Sequence, residues 1–325
     1  MPKIVALDGF CLTPATTTHT PANEPTWDAL TQLGDLTVYP RTAPDEIVER
    51  CQDAELMLTN KVPFNADTLA QLPNLQYLGV TATGVNIIDL DAAKARGITV
   101  TNVPAYSTAS VAQHVFALIL SLNTALSETG QAVRDGQWAN GPDFSFTLQP
   151  WHELEGQTLG IVGMGTIGQA VARLGHAFGM HIAAHSRTPK TLDIPVAWLS
   201  LDNLFQTANV VSLHCPLTPK TQHLANAERF ASMKPNAIFI NTGRGPLVDE
   251  PALADALAQG TPAAAGLDVL SQEPPAADNP LLSAPNCLIT PHLAWASVEA
   301  RHRCMATVTD NVAQFLQGQP VNVVS

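Results

Sequence analysis

Short apolar runs alternate with stretches of helical periodicity along most of the chain. Apolar runs too short for a helix are typical of strands that a parallel sheet buries on both faces. In the first third of the chain, strands are predicted at residues 3–8, 36–39, 55–59, 77–80 and 98–101, and helices near residues 26–33, 44–51, 65–71 and 90–96. A polar loop rich in Thr and Pro is predicted over residues 11–25. This alternation predicts a complete α/β layer.

A second series of apolar runs predicts six parallel strands, at residues 158–162, 181–185, 210–214, 237–241, 264–268 and 288–290. Helical patterns separate most of them, as in a doubly wound sheet. A last helix is predicted over residues 297–317, and we expect it to return to the first layer, which lacks a closing element. The predicted fold class is α/β, with two Rossmann-like doubly wound parallel-sheet domains. Residues 1–101 plus 296–325 form a discontinuous domain, and residues 102–295 form the other.

A long helix is predicted over residues 108–134, and its first half is apolar nearly all round. Such a helix is buried, so we expect it between the two domains or in a subunit interface. The irregular stretch that follows carries several aromatic side chains, namely Trp138, Phe144, Phe146 and Trp151. These are too many for a flexible linker. So much apolar surface predicts a two-fold homodimer formed through the second domain.

The stretch TLGIVGMGTIGQAVARLGHAFG, residues 158–179, combines an apolar strand, a glycine turn and a helix predicted over residues 167–178. The turn contains Gly163, Gly165 and Gly168. In this GxGxxG spacing the first glycine allows the tight turn, the second lets backbone N–H groups approach a pyrophosphate, and the third lets helix and strand pack closely. The N-terminus of the helix also favours an anion. The stretch therefore predicts a dinucleotide site.

Composition and charge exclude several classes of protein. Hydrophobic residues make up 46% of the chain and charged residues 14%, which allows a large core. The net charge of -12 and the lack of a Lys/Arg cluster argue against nucleic acid or an anionic membrane surface as a partner. The five cysteines are scattered without metal-binding spacing, so no metal site is expected. Without a secretory or membrane-spanning pattern, we expect reduced thiols and a cytoplasmic location.

Ligands of an open parallel sheet bind outside the carboxyl ends of its strands. Arg244, Glu273 and His292 each follow one of the late predicted strands. Taken singly, each is as well explained as an ordinary surface or structural residue. Together, a cation, a carboxylate and an imidazole beside a dinucleotide site are the groups needed to reduce a carbonyl by hydride transfer.

At these residues the chain resembles the D-isomer-specific 2-hydroxyacid dehydrogenases, and the resemblance covers essentially the whole sequence. The motifs that carry it are GMGTIG at residues 163–168, VSLHCPLTPKTQHL at 211–224, FINTGRGPLVDE at 239–250, GLDVLSQEP at 266–274 and TPHLAW at 290–295. The resemblance implies a flavodoxin-like substrate-binding domain at residues 1–101 plus 296–325. It also implies that residues 102–295 form a dinucleotide-binding Rossmann domain with a long interdomain helix and a dimerisation segment.

The resemblance implies three catalytic roles, and the chemistry of the side chains agrees with them. Arg244 would bind the carboxylate of a 2-oxo acid and polarise its carbonyl, because a guanidinium offers donors in a planar fork. His292 would donate a proton to the carbonyl oxygen as hydride arrives at carbon. Glu273 would fix the tautomer of His292 and favour its imidazolium form. Formate dehydrogenases of the same superfamily carry Gln at the Glu273 position, so Glu273 favours a hydroxy acid.

Further contacts follow from the resemblance alone. Thr83, Gly84 and Trp295 are implied to bind substrate together with Arg244. Cofactor contacts are implied for Thr108, Gly163, Gly165, Thr166, Ile167, Gly168, Ser186, Arg187, Thr188, His214, Cys215, Pro216, Thr221, Thr242, Gly243 and Asp268.

The residues after the second strand of this domain bear on the choice of cofactor. Where NAD-binding members carry an Asp that holds the ribose hydroxyls, this chain has Ser186, followed by Arg187 and Thr188. An Asp would repel a 2′-phosphate, whereas Arg187 supplies a cation. NADP(H) is therefore the expected cofactor, and NAD(H) use stays possible if Arg187 points to solvent.

The motifs HLAW at residues 292–295, NVPAYST at 102–108 and TATG at 81–84 resemble the glycerate dehydrogenase or hydroxypyruvate and glyoxylate reductase branch. The expected reaction is reduction of hydroxypyruvate or glyoxylate to D-glycerate or glycolate. A D-lactate dehydrogenase-like activity on other 2-oxo acids is the main alternative. A non-catalytic, dinucleotide-sensing corepressor is a further alternative.

Overall fold

The computed structural model describes residues 1–13 and 24–325. Most of the loop predicted over residues 11–25 therefore lies outside the described residues. The chain divides into two compact units, Met1–Ser107 with Ala296–Ser325, and Thr108–Trp295. This boundary lies after Ser107 rather than after residue 101. The difference arises because the backbone N–H groups of Asn102 and Val103 donate to Asn322 and Ala82, which are residues of the first unit.

The first unit contains a five-stranded parallel sheet with the order β2-β1-β3-β4-β5. Its strands are β1 (Lys3–Ala6), β2 (Asp35–Val38), β3 (Leu56–Thr59), β4 (Tyr77–Val80) and β5 (Thr99–Thr101), and its first helices are α1 (Asp28–Thr31), α2 (Ile47–Cys51), α3 (Ala66–Ala70) and α4 (Leu90–Ala95). Every residue of β3 and β4 is buried, as their uninterrupted apolar pattern requires. All five predicted strands and all four predicted helices of this layer are present, most of them with ends shifted by one to a few residues.

The second unit contains a seven-stranded parallel sheet with the order β12-β11-β10-β9-β6-β7-β8. Its elements are α5 (Thr108–Thr124), α6 (Leu126–Arg134), β6 (Thr158–Val162), α7 (Thr166–Ala177), β7 (His181–His185), β8 (Ala197–Trp198), α8 (Leu201–Thr207), β9 (Val210–Leu213), α9 (Ala227–Ser232), β10 (Ile238–Asn241), α10 (Glu250–Ala258), β11 (Ala264–Leu267) and β12 (Cys287–Ile289). The predicted α/β class with two parallel sheets is confirmed. The prediction of six strands in this sheet missed β8, a two-residue edge strand that is not fully buried and so leaves no apolar run.

The single helix predicted over residues 108–134 is wrong, because α5 and α6 are separated at Ala125 and bent by 57°. Ala125 adopts φ 48° and ψ 44°, a left-handed conformation that ends the helical hydrogen-bond ladder. No Gly, Pro or Asn marks the position, so the sequence gives no warning. Within its own unit α5 packs against α7, β10 and β11. In the described part of the chain, only this bent pair taken together, and no single helix, is long and apolar enough to cross a membrane.

The final helix, α11 (Val298–Leu316), belongs to the first unit and lies against β4. Its Arg301 is buried, pairs with Glu24 and donates to the carbonyl of Leu12. Side-chain hydrogen bonding to Arg301 lowers the pKa of Glu24, so the carboxylate stays charged in this pair. The helix thus closes the first unit with an ion pair as well as with apolar contacts.

Candidate active site

Three adjacent strands, β10, β11 and β12, place the main candidate side chains on one edge of the second sheet. Their register is level, since Asn241 pairs with Leu267 and Leu267 pairs with Ile289. Because the strands are parallel, the loops that carry Arg244, Glu273 and His292 leave the sheet side by side.

His292 and Glu273 form the closest polar pair at this edge. The Nδ1 atom of His292 lies 2.6 Å from Oε2 of Glu273, and the side chains are 24% and 34% exposed. The other carboxylate oxygen of Glu273 accepts a hydrogen bond of 3.1 Å from the backbone N–H of Leu270. An ionised carboxylate can only accept, so His292 must donate from Nδ1, which leaves Nε2 for proton exchange with a ligand.

The loop that carries Glu273 is held by Glu250, a residue that the sequence analysis did not single out. Glu250 begins α10 and is 9% exposed. Its carboxylate accepts a 2.5 Å hydrogen bond from the N–H of Ser271 and a 2.7 Å hydrogen bond from Nδ2 of Asn279. A buried acid at a helix start is indistinguishable in sequence from an exposed one, so only the structure reveals this support.

Arg244 follows β10 in a loop that packs directly on the Glu273 loop. A Cβ atom at Gly245 would lie 2.0 Å from the carbonyl carbon of Leu270, so only glycine permits this approach. The backbone carbonyl of Arg244 accepts a 2.9 Å hydrogen bond from Nδ2 of Asn241, and its Nη1 donates to the carbonyl of Gly243 at 2.8 Å. The guanidinium is therefore anchored at one nitrogen on the same edge as His292.

The glycine turn after β6 has the geometry that a bound dinucleotide requires. Gly163 adopts φ +100°, and a Cβ there would lie 2.5 Å from the backbone nitrogen of Cys215. A Cβ at Gly168 would lie 2.1 Å from the carbonyl oxygen of Gly163, whereas one at Gly165 would meet nothing within 4 Å. The first and third glycines are thus required by packing, and the second faces open space beside the N-terminus of α7.

Two further features fit a nicotinamide dinucleotide at this edge. No side chain caps α7, whose first residues are Thr166, Ile167 and Gly168, so its first-turn N–H groups face outward for an anion. The hydroxyl of Thr242 is buried and has no hydrogen-bond partner among the described residues. A buried hydroxyl without a partner is costly, and a bound ligand with a polar group would satisfy it. The residues present therefore fit the cofactor.

The turn formed by His214, Cys215 and Pro216 lies directly against Gly163. Nε2 of His214 lies 2.9 Å from the hydroxyl of Ser212. Although the residue keeps some solvent exposure, desolvation lowers the pKa of His214 to about 4. The imidazole is neutral near pH 7 and adds no charge to the wall of the site.

Ser186, Arg187 and Thr188 directly follow β7, next to the glycine turn. Arg187 and Thr188 are exposed, and Ser186 is half-buried. The predicted adenosine end of the site thus carries an exposed cation and no carboxylate at these three positions.

The side chains of Thr221 and Asp268 are both hydrogen-bonded within the protein. The hydroxyl of Thr221 donates to the carbonyl of Pro216 at 2.8 Å and accepts from the N–H of Thr218 at 2.8 Å, so it shapes its own loop. Asp268 is 1% exposed, and its carboxylate accepts hydrogen bonds from Thr290, Leu293 and Ala294. Both residues therefore support the site through the backbone around them.

The remaining predicted contact residues lie either at the two chain ends of the second unit or in the first unit. Thr108 is the first residue of α5, and Trp295 is half-buried at the end of the second unit. Thr83 and Gly84 belong to the first unit. There the hydroxyl of Thr83 donates to the carbonyl of Val103 at 2.8 Å, and Nδ2 of Asn102 donates to the carbonyl of Thr83 at 2.8 Å. The loop after β4 is thus fixed by the residues after β5.

Comparison with known proteins identifies the family of the chain. A family model described as "D-isomer specific 2-hydroxyacid dehydrogenase, NAD binding domain" matches residues 116–294. A hydroxypyruvate reductase of Blautia hydrogenotrophica is 42% identical over 99% of this chain and 99% of its own length. A glycerate dehydrogenase of Methylorubrum extorquens is 44% identical over 86% of this chain and 88% of its own.

Among solved structures, an NADPH-dependent glyoxylate/hydroxypyruvate reductase from Sinorhizobium meliloti, in complex with NADP and malonate, superposes with a TM-score of 0.84 and 31% identity. The match covers 100% of this chain and 97% of that one. The matches in sequence and in fold therefore point to one family. The chain belongs to the D-isomer-specific 2-hydroxyacid dehydrogenase family of nicotinamide-dinucleotide-dependent enzymes.

Proposed function

We propose that this enzyme reduces hydroxypyruvate or glyoxylate to D-glycerate or glycolate. The observation that carries the proposal is the 2.6 Å pair of His292 and Glu273 on the same sheet edge as Arg244 and the glycine turn. The names of the relatives, hydroxypyruvate reductase and glycerate dehydrogenase, support this substrate class. A bound nicotinamide dinucleotide supplies the hydride.

Each of the three residues has a distinct task in this proposal. Arg244 binds the substrate carboxylate and polarises the neighbouring carbonyl, since its planar fork presents several donors. His292, held through Nδ1 by Glu273, donates the proton on Nε2 to the carbonyl oxygen and takes it back in the reverse direction. Thr83, Gly84 and Trp295 remain proposed substrate-binding residues, and the backbone N–H groups of Thr83 and Gly84 would donate to the carboxylate.

The cofactor is held by the glycine turn and by the polar residues around it. The first turn of α7, with Thr166, Ile167 and Gly168, faces the pyrophosphate. Ser186, Arg187 and Thr188 contact the adenosine end. The remaining part of the cofactor is surrounded by Thr108, the turn of His214, Cys215 and Pro216, the loop held by Thr221, and Thr242, Gly243 and Asp268. Among these contacts, that of Thr242 has the strongest structural support, because its buried hydroxyl has no hydrogen-bond partner among the described residues.

The substrate proposal predicts a ranking of kcat/KM. Hydroxypyruvate and glyoxylate should exceed pyruvate by about 10–200-fold, the discrimination that one small substituent in a pocket provides. Steady-state rates on the three acids with NADPH and with NADH provide the measurement. A preference for pyruvate would support a D-lactate dehydrogenase-like enzyme instead. If the wild-type protein binds the cofactor but turns over none of the three acids, the result would support the corepressor.

The catalytic proposal predicts different kinetic effects for three substitutions. His292→Ala should lower kcat by about 10²–10⁴-fold, the contribution of positioned proton transfer. Arg244→Ala should raise KM for the 2-oxo acid and lower kcat together. Glu273→Gln should lower kcat, because Nδ1 of His292 loses the carboxylate that orients the imidazole. A near-normal rate for His292→Ala would refute the acid/base role, and His176→Ala on the exposed side of α7 is the matched control.

We propose NADP(H) as the preferred cofactor, because Ser186 has no carboxylate and the next residue, Arg187, supplies a cation at the end of the strand beside the glycine turn. A charge-assisted contact between one Arg and a 2′-phosphate contributes about 1.5–3 kcal/mol, which is about 10–150-fold in affinity. Ser186 supports this choice by removing the repulsion that an Asp would exert on the phosphate.

The cofactor proposal is tested with two variants and a control. Arg187→Ala should weaken NADPH binding by about 10–150-fold and leave NADH nearly unchanged. Ser186→Asp should invert the preference. Lys94→Ala removes an exposed cation of the first unit and should change neither value. A wild-type preference for NADH, together with no effect of Arg187→Ala on either cofactor, would contradict this assignment.

We also propose a homodimer formed through the second unit. Several large apolar side chains of this region are exposed, namely Leu126 (66%), Trp138 (52%), Phe144 (91%) and Trp151 (53%). Singly exposed apolar residues are ordinary, but a cluster of this size along one stretch favours a protein interface. A second copy of the chain, related by a two-fold axis, would cover this apolar surface without any other protein.

The dimer proposal predicts a concentration-stable species of twice the chain mass in sedimentation velocity at micromolar concentration. Phe144→Asp and Trp138→Asp should shift it toward monomer, because each places a charge in the apolar contact. Leu282→Asp, at a residue 49% exposed in another segment of the same unit, should leave it unchanged. A wild-type monomer at this concentration would overturn the proposal.

We propose a cytoplasmic location for the enzyme. All five cysteines are free, and such thiols persist in a reducing compartment. Desolvation raises the pKa of Cys51, Cys287 and Cys304 to about 12, so these thiols stay protonated and unreactive near neutral pH.

A further inference from the structure

Two side chains of α5 contact the segment that carries His292, and neither was singled out by sequence. The hydroxyl of Ser110 donates to the carbonyl of Ala294 at 2.6 Å. Nε2 of His114 lies 2.9 Å from the hydroxyl oxygen of Thr290. Residues four apart lie on one face of a helix, so Ser110 and His114 meet the two ends of residues 290–294 from the same side.

The direction of the hydrogen bonds follows from the chemistry of the groups. The hydroxyl of Thr290 lies 2.6 Å from Oδ1 of Asp268. Ionised Asp268 has no proton to give, so Thr290 donates its single hydroxyl proton to Asp268. Thr290 can then only accept from His114, which must carry a proton on Nε2. That nitrogen also lies 3.6 Å from Oδ1 of Asp268.

Asp268 also forms hydrogen bonds with the backbone of His292 and of the two residues that follow it. Its oxygens accept 2.9 Å hydrogen bonds from the backbone N–H groups of Leu293 and Ala294. Its own backbone carbonyl accepts the N–H of His292 at 2.8 Å. His292 needs such support, because its φ of 51° lies in the left-handed region that L-residues seldom adopt.

We propose that Ser110, His114 and Thr290 are positioning residues that clamp residues 290–294 and thereby aim the imidazole of His292. The inference rests on the proposed role of His292 as acid/base. Loss of the clamp would let the backbone at His292 relax toward a more common conformation and draw Nδ1 away from Glu273. A displacement of about 1 Å at a reacting group lowers turnover by about 100-fold.

Paired substitutions separate positioning from packing. His114→Met and Thr290→Val remove the donor and the hydroxyl while keeping the side-chain volume similar, and each should lower kcat by about 10–100-fold with KM for the 2-oxo acid changed by less than about 3-fold. His114→Gln and Thr290→Ser keep an N–H donor and a hydroxyl at the same places and should restore most of kcat. The double variant His114→Met/Thr290→Val should cost little more than the worse single variant, because both break one chain of hydrogen bonds. His176→Met on α7 is the control and should leave kcat unchanged.

A readout independent of turnover is the proton on Nδ1 of His292, which lies in a 2.6 Å contact with Glu273 and should resonate far downfield in proton NMR. Its resonance, assigned by its loss in His292→Gln, should shift or vanish in His114→Met and Thr290→Val and persist in His114→Gln and Thr290→Ser. Unchanged kcat and an unchanged resonance in the first two variants would overturn the clamp. So would a loss of activity that only follows a loss of folded protein in circular dichroism. If His292→Ala itself keeps a near-normal rate, the acid/base role fails instead, whatever the resonance shows.

Discussion

Parallel pairing of every strand is the constraint on which the site depends. Each connection must cross over the sheet before the next strand begins, so all the carboxyl ends in one sheet meet at one edge. In the second unit this rule brings the glycine turn after β6, the turn after β9 and the loops after β10, β11 and β12 to one edge. Residues far apart in sequence become neighbours there. His114 and Thr290, for example, are separated by 176 positions and lie 2.9 Å apart.

Loops at such an edge lack the regular backbone hydrogen bonds of strands and helices. In this protein, buried carboxylates accept hydrogen bonds from some of the loop N–H groups. Asp268 holds the backbone around His292, and Glu250 holds the loop of Glu273. In the first unit, Asp8 accepts hydrogen bonds from the backbone N–H groups of Asn60 and Lys61 after β3. Burial raises the pKa of Asp8, and these hydrogen bonds oppose the rise. A carboxylate offers several acceptor sites in a small volume, which suits it to fixing backbone N–H groups.

The sequence predicts the fold far better than it predicts the supports of the site. Buried strands and the GxGxxG turn have local signatures, so the two parallel sheets and the rim of Arg244, Glu273 and His292 could be placed from sequence. The break at Ala125 could not, because an alanine in a left-handed conformation has no signature of its own. The same holds for the two-residue strand β8 and for the partners of Asp268. Hydrogen bonds between distant segments depend on which residues the fold brings together, and no periodicity encodes them.

The charge of the whole chain and the charge of the site have opposite effects on an anionic substrate. A net charge of -12 repels a 2-oxo acid at long range, but at physiological ionic strength this repulsion is screened within about 8 Å. At the site, the carboxylate of Asp268 is covered by hydrogen-bond donors, and that of Glu273 faces His292. Among Arg244, Glu273 and Asp268, Arg244 is the cation, and in its proposed role its contact with a substrate carboxylate would be short-range and directional. Added salt would weaken the repulsion from the chain more than it would weaken such a contact, because the repulsion acts over a longer distance.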